Sequence, residues 1–189
     1  MGNDKVSHCF PLNGEDDPNI VGIENIIATY RNNLPSIELP NSPAQLSPVL
    51  EQFEKYVKEE MVGRNGYGIL LLLTGGAITD LEDAKDVLVK MSALPCSVII
   101  VGLGGKGVNK ALIELDGDDY AVSNKQGTQV ERDIVQYVSL NDAMKNGNLE
   151  DQVLKEIPFQ TCSYMWKVGS TAVQGEDEAN ESKYEENKI

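Results

Sequence analysis

The chain reads as an α/β protein, a three-layer arrangement built on a mostly parallel sheet. Two runs, Tyr67 to Thr74 and Cys96 to Val101, are continuously apolar rather than alternating, the pattern of strands covered on both faces. Amphipathic helical periodicities flank each run, and parallel strands need such crossovers to connect them. The 189 residues suit one compact domain and leave little for a second.

Val6 to Phe10 alternates enough for a short strand, and Pro11 to Pro18, rich in Asn, Gly and Asp, reads as a loop. A helix follows: Ile23, Ile26, Ile27, Tyr30 and Leu34 recur at helical spacing until Pro35, predicting one buried stripe. A second helix after Pro43 places Leu46, Val49, Leu50, Phe53 and Val57 on one face, and Gly63 to Gly66 closes it. The Tyr67 to Thr74 strand leads to Thr79-Asp80-Leu81-Glu82, a capping-box pattern opening a helix with Leu81, Ala84, Leu88 and Met91 on one face. Pro95 punctuates before the second apolar strand. Beyond it the pattern predicts a short helix around Val108, Leu112 and Leu115, turns from Asp116 to Gln129 and a strand near Ile134 to Val138. A final helix through Leu149, Val153 and Ile157 is expected to bend at Pro158. From Gln174 onward six acidic and two basic residues give a tail of −4, too polar to bury a core and therefore read as disordered.

Charge narrows the function. Sixteen Lys and Arg against thirty Asp and Glu leave −14, which opposes phosphate backbones and argues against nucleic acid as a partner. The same sign disfavours simple electrostatic attachment to anionic lipid. No apolar run reaches the ~18 residues of a membrane span. The N-terminus lacks the apolar core of a secretion signal, and Val6 stands where a myristoylation motif wants Ser or Thr. Cys9, Cys96 and Cys162 match neither a disulfide framework nor a zinc motif, so reduced thiols and a cytoplasmic location are expected.

Four groupings invite a chemical reading. Gly102-Leu103-Gly104-Gly105-Lys106-Gly107 fits G-x-G-x-x-G after a strand, but no apolar strand follows until Ile134 to supply the acidic ribose ligand, so it reads as a tight strand-to-helix turn. His8, the only histidine, neighbours Cys9, and adjacent residues on a strand point to opposite faces, which excludes a nucleophilic pair. Asp116-Gly117-Asp118-Asp119 lacks calcium-loop spacing and reads as a solvated turn. Asp80, Glu82 and Asp83 crowd a helix start, where the dipole favours negative charge, and read as caps.

Several segments, in order, resemble the copine family: Val6-Ser7-His8-Cys9-Phe10-Pro11-Leu12-Asn13, Gly22-Ile23-Glu24 with Ala28-Thr29-Tyr30-Arg31, Leu70-Leu71-Leu72-Leu73-Thr74, Ala77-Ile78-Thr79-Asp80, Leu94-Pro95-Cys96-Ser97-Val98-Ile99-Ile100-Val101-Gly102, Leu115-Asp116-Gly117-Asp118-Asp119 and Arg132-Asp133-Ile134-Val135-Gln136-Tyr137-Val138. The resemblance runs from about Val6 to Met165 and covers the later part of the family's von Willebrand factor A-type domain. It implies a Rossmann-like sheet lacking the first two strands over residues 1–168, followed by the acidic tail 169–189. Nothing resembles the family's calcium-dependent lipid-binding modules, or the RING module of copine-like plant ubiquitin ligases.

The resemblance also implies a metal position. Such domains hold Mg²⁺ or Mn²⁺ with an Asp-x-Ser/Thr-x-Ser loop, a Thr in a second loop and an Asp in a third. The first loop has no counterpart in this sequence. The second resembles Asn41-Ser42-Pro43-Ala44-Gln45, with Ala44 for the Thr, and the third resembles Thr74-Gly75-Gly76, with Gly75 for the Asp. A methyl and a hydrogen cannot donate to a hard cation. The expectation is a non-catalytic protein-interaction module with a degenerate metal site and no cofactor, neither Mg²⁺ or Mn²⁺ nor the family's Ca²⁺. Its interaction loop would comprise Ser42, Thr74, Gly75, Gly76 and Asp80. The alternative is a calcium-dependent phospholipid-binding copine represented by an incomplete chain, recruited to the plasma membrane through upstream domains. Because the family's first strand would pair with Tyr67 to Thr74, that strand should show an unpaired edge. Self-association, a recruited strand or insertion of Val6 to Phe10 could fill it.

Overall fold

A computed structural model describes residues 7–37, 43, 45–75, 78–103, 110–118 and 120–169. Three parallel strands form its sheet: β1 (Gly68–Thr74), β2 (Cys96–Gly102) and β3 (Val135–Ser139), in that spatial order. Gly68 lies beside Cys96 and Thr74 beside Gly102, while Val98 lies beside Val135 and Gly102 beside Ser139. The helices in chain order are α1 (Ile23–Asn33), α2 (Ser47–Glu60), α3 (Leu81–Met91), α4 (Lys110–Asp116), α5 (Leu140–Asn146), α6 (Leu149–Leu154) and α7 (157–169). A three-stranded parallel sheet flanked by helices is the α/β architecture the apolar runs predict.

One core lies on the face of the sheet carrying Leu70, Leu72, Val98 and Ile100. Leu50 and Val57 of α2, Ala84, Leu88 and Met91 of α3, and Leu112 and Leu115 of α4 pack onto it. Helix α2 comes so close to β1 that a Cβ on Gly68 would stand 3.0 Å from Val57 Cγ2 and 3.1 Å from Phe53 Cζ. Glycine there lets helix and strand approach.

Five expectations need correction. First, β2 is buried along its whole length, but β1 alternates, with Ile69, Leu71 and Leu73 bare. A continuous apolar run shows that both faces suit burial, not that this chain supplies both covers. Second, α1 forms, yet none of its residues is buried, and Ile23, Ile26, Ile27 and Tyr30 face solvent. Periodicity announces an apolar stripe without naming what it packs against. Third, residues 7–10 are irregular rather than a strand, held by local bonds such as Cys9 N to Ser7 Oγ; Val6 lies outside the described residues. Fourth, the single bent terminal helix is two helices, because α6 ends at Leu154 and Pro158 sits in the first turn of α7, where its missing N–H costs nothing. Fifth, α5 was not anticipated, although Ser139 Oγ accepts from Asp142 N and Gly147 ends it at φ 68°.

Of the acidic tail expected over 169–189, Gly169 closes α7 and residues 170–189 lie outside the described residues, as do Val108 and the turn residues Gly104, Gly105, Lys106 and Gly107.

Candidate functional site

In parallel α/β sheets ligands collect outside the carboxyl ends of the strands. Here that end is formed by Thr74, the last residue of β1, Gly75 after it, Gly102, the last residue of β2, and the starts of α2 and α3. Of the expected interaction loop, Thr74, Gly75 and Asp80 are described; Ser42 and Gly76 lie outside the described residues, as does Ala44. Gly75 is exposed, and a Cβ built on it would meet nothing within 4 Å.

Asp80 organises this end. It occupies the position before α3, and its carbonyl oxygen accepts the first helical bond, from Ala84 N at 2.9 Å. Its side chain does not cap its own helix; it reaches across to the start of α2. Leu46 N donates to both carboxylate oxygens at 2.9 Å, while Ser47 N and Ser47 Oγ donate to Oδ2 at 2.7 and 2.6 Å. These are the donors a helix start leaves unsatisfied, and a carboxylate is their strongest acceptor. Burial alone would push the Asp80 carboxyl up, but the bonds from Ser47 and Leu46 outweigh it and hold the group below its ordinary range. The Thr79–Glu82 capping box therefore does not form. Asp80, read as a cap of α3, is a cap of α2 instead.

The described residues at this end offer no free carboxylate donor for the hard cation of an A-type domain. The one carboxylate described at the end of β1 is committed to α2, and Gly75 offers no donor. Among the described residues, no group of three or more His, Cys, Asp or Glu is placed to hold a metal ion.

Elsewhere the solvated-turn reading of Asp116 is corrected. Asp116 is buried at the end of α4, its Oδ1 accepts from Tyr137 N at 2.5 Å, and burial pushes its carboxyl up to about 6. Glu156, driven up to about 7 by burial and by the negative charges of Asp133, Asp118 and Asp116, shares a hydrogen bond with Asp133. The Asp133 carboxyl is also raised, by burial of the group within this cluster, although the residue as a whole keeps solvent contact. Sequence reasoning missed this cluster because its members come from three separate segments.

It also missed Arg132. The guanidinium donates to Leu94 O at 2.5 Å, Cys96 O at 2.7 Å, Tyr67 Oη at 3.2 Å and Gln160 O at 3.3 Å. It lies 5.8 and 5.4 Å from the rings of Tyr67 and Tyr164. Arg132 thus ties α7 to the starts of β1 and β2, a structural rather than a chemical task.

His8 Nδ1 accepts from Gln45 N at 3.4 Å, which sets the N-terminal segment against the approach to α2. Among the described residues no hydrogen bond joins His8 to Cys9. With residues 7–10 irregular, no strand holds the two side chains on opposite faces.

The copine family model matches residues 1–172. The chain belongs to the copine family. It is 37% identical over 169 residues to Copine-A of Dictyostelium discoideum, a match covering 88% of this chain and 28% of that protein. The chain therefore spans less than a third of the length of this copine relative. Its helix-flanked parallel sheet corresponds to the copine von Willebrand factor A-type domain. Among the described residues, no helix is long and apolar enough to cross a membrane.

Proposed function

We propose that this chain is a non-catalytic, metal-independent interaction module of the copine type, which binds a protein partner through the loops at the carboxyl end of its sheet. The observation that carries the reading is the Asp80 carboxylate. At the end of the sheet where an A-type domain would place a cation, Asp80 bonds Leu46 and Ser47 and ties the start of α3 directly to the start of α2. An internal carboxylate–helix bond cross-links this end of the sheet, so the interaction loop we assign to Ser42, Thr74, Gly75, Gly76 and Asp80, with the Asp80 carboxylate buried behind it, needs neither Mg²⁺ nor Mn²⁺. The partner is a protein rather than nucleic acid, given the −14 charge. The place of action is the cytoplasm, with access to the plasma membrane only through other chains or domains.

A second reading is a calcium-dependent phospholipid-binding copine of which this chain is one piece. The 28% share of Copine-A favours it. Transcript mapping at the locus separates the two: upstream coding sequence for lipid-binding domains, joined to this chain, supports the second. Co-sedimentation of the 189-residue chain with phosphatidylserine vesicles in Ca²⁺ tests the first, which predicts that the chain stays in the supernatant with and without the ion.

A further inference from the structure

The corner between α6 and α7 is held to the sheet by carboxyl groups. Glu156 precedes α7: its carbonyl oxygen accepts from Gln160 N at 2.9 Å, and its Oε2 accepts from Gln160 Nε2 at 3.3 Å. On its other side Glu156 shares a hydrogen bond with Asp133, whose Oδ1 accepts at 3.1 Å from the N–H of Val135, the first residue of β3. Val135, Asp133, Glu156 and Gln160 thus form one relay from the edge of the sheet to the first turn of α7.

Two carboxyl groups can bond to each other only while one keeps its proton. The Glu156 side chain is 16% exposed, so water screens the pair poorly. The charges acting on Glu156 besides Asp133 are Asp116 at the end of α4, Asp118 in the turn after it, and the exposed Lys155, whose Nζ lies 3.7 Å from Glu156 Oε1. On α5, Asp142 and Lys145 pair with each other at the surface, and Glu150 and Asp151 of α6 are exposed. Three acids against one lysine keep the proton on Glu156, with Asp133 as its acceptor. Gln160 opposes this closure. It is 1% exposed, and its Oε1 is buried without a partner among the described residues, a cost that water would remove if the corner opened. Beyond the corner, α7 is tied by the Arg132 Nη1 bond to Gln160 O at 3.3 Å, the Tyr164 ring against Tyr67 and the Lys167–Glu131 ion pair.

We propose that Asp133 and Glu156, sharing one proton, form a pH-operated clasp that holds the α6–α7 corner on the edge of β3 and releases it as the pH rises to neutrality. Loss of the proton leaves two carboxylates in contact beside Asp116 and Asp118, and repulsion replaces the bond. Once the corner opens, Glu156 is an ordinary carboxyl in water. Its value is about 7 in the closed corner and 4.5 in the open one, so the clasp is strongest below the lower value and is lost as the pH rises through the higher. The closed-to-open ratio should fall about tenfold from pH 6 to pH 8. Asp133 precedes β3, so the clasp lies at the amino end of the parallel sheet, opposite the Asp80 loops, and stands independently of the function proposed for them.

Amide hydrogen exchange of the full chain at pH 6 and pH 8, read by mass spectrometry and corrected for the intrinsic pH dependence of exchange, tests it. The expected result is that α7 amides from Gln160 onward are less protected than those of β2 at both pH values, because the corner opens without the rest of the domain. Their protection should fall about tenfold from pH 6 to pH 8. Glu156→Gln keeps a neutral donor towards Asp133 and should abolish that fall, while β2, which also senses Asp116, keeps a smaller one. Should Glu156→Gln lose its fold, Asp133→Asn, which offers an amide donor to ionised Glu156, should abolish it as well, and the wild-type comparison of α7 with β2 decides without either variant. Amides of α7 as protected as those of β2 would mean that the corner opens only with the whole domain, and would overturn the proposal. Protection of α7 that is equal at pH 6 and pH 8, or that falls as much in Glu156→Gln as in wild type, would overturn it too.

Discussion

Replacing Asp80 with alanine orphans three donors at once: Leu46 N, Ser47 N and Ser47 Oγ. Leu46 is buried, so water cannot replace the acceptor at its N–H, and an unsatisfied buried donor costs about 1–3 kcal/mol. Ser47 is only partly buried and recovers water, leaving the loss of a helix cap, typically about 1 kcal/mol. These contributions overlap, so the expected total for Asp80→Ala is about 2–4 kcal/mol, or roughly 4–16 °C in Tm for a chain of this size. Asp80→Asn keeps one carbonyl acceptor and should lose about 1–2 kcal/mol. Urea unfolding followed by far-UV circular dichroism at pH 7 measures both. Because the folded Asp80 pKa lies below its ordinary value, its stabilisation is present in full above the unfolded carboxylate range and disappears as pH falls through the folded pKa. The gap between wild type and Asp80→Asn should therefore close in acid. An Asp80→Ala variant within about 0.5 kcal/mol of wild type, the ordinary range of a surface substitution, would refute the assignment of Asp80 as the tie between α2 and α3.

Three further outcomes are expected. The Asp116 and Glu156 carboxyls, raised to about 6 and about 7, cost stability when ionised, so stability should rise as pH falls from 8 towards 5. For Asp116 the gain is about 1.4 kcal/mol by pH 5 and nears about 3 kcal/mol only below its ordinary value of 3.8, and Glu156→Gln should flatten part of the profile in a denaturant series across pH. Arg132→Lys keeps the charge but loses the planar fork that reaches Leu94 O and Cys96 O together, and should destabilise by about 2–4 kcal/mol in the same urea assay. In timed alkylation read by mass spectrometry, exposed Cys162 should react first and partly covered Cys9 next. Cys96, buried and with its thiol pushed up to about 12, should react last.

Much of the fold was legible because it rests on local pattern. The β2 run, the α2 and α3 stripes and the unpaired β1 edge follow from apolar spacing and from the family's strand order. The α1 stripe and the Ile69, Leu71 and Leu73 face were legible as apolar but not as bare, since periodicity carries no information about what covers a surface. The caps around α5, Ser139 with Asp142 and Gly147, were readable signals passed over in favour of the later apolar residues. Asp80 was singled out as a cap, yet its partner could not be read from sequence, because Leu46 lies 34 residues away and only the folded chain brings the two helix starts together. The Asp116, Asp133 and Glu156 cluster escaped for the same reason. Arg132 looks like an ordinary surface cation until the starts of β1 and β2 and helix α7 converge on it.

Calorimetric titration of Mg²⁺ and Mn²⁺ into the purified chain tests metal independence most directly. With Asp80 committed to α2 and Gly75 without a side-chain donor, the account predicts no saturable heat tighter than millimolar, and no tight site in Ala44→Thr with Gly75→Asp either. A single site of micromolar affinity in the wild-type chain would contradict it.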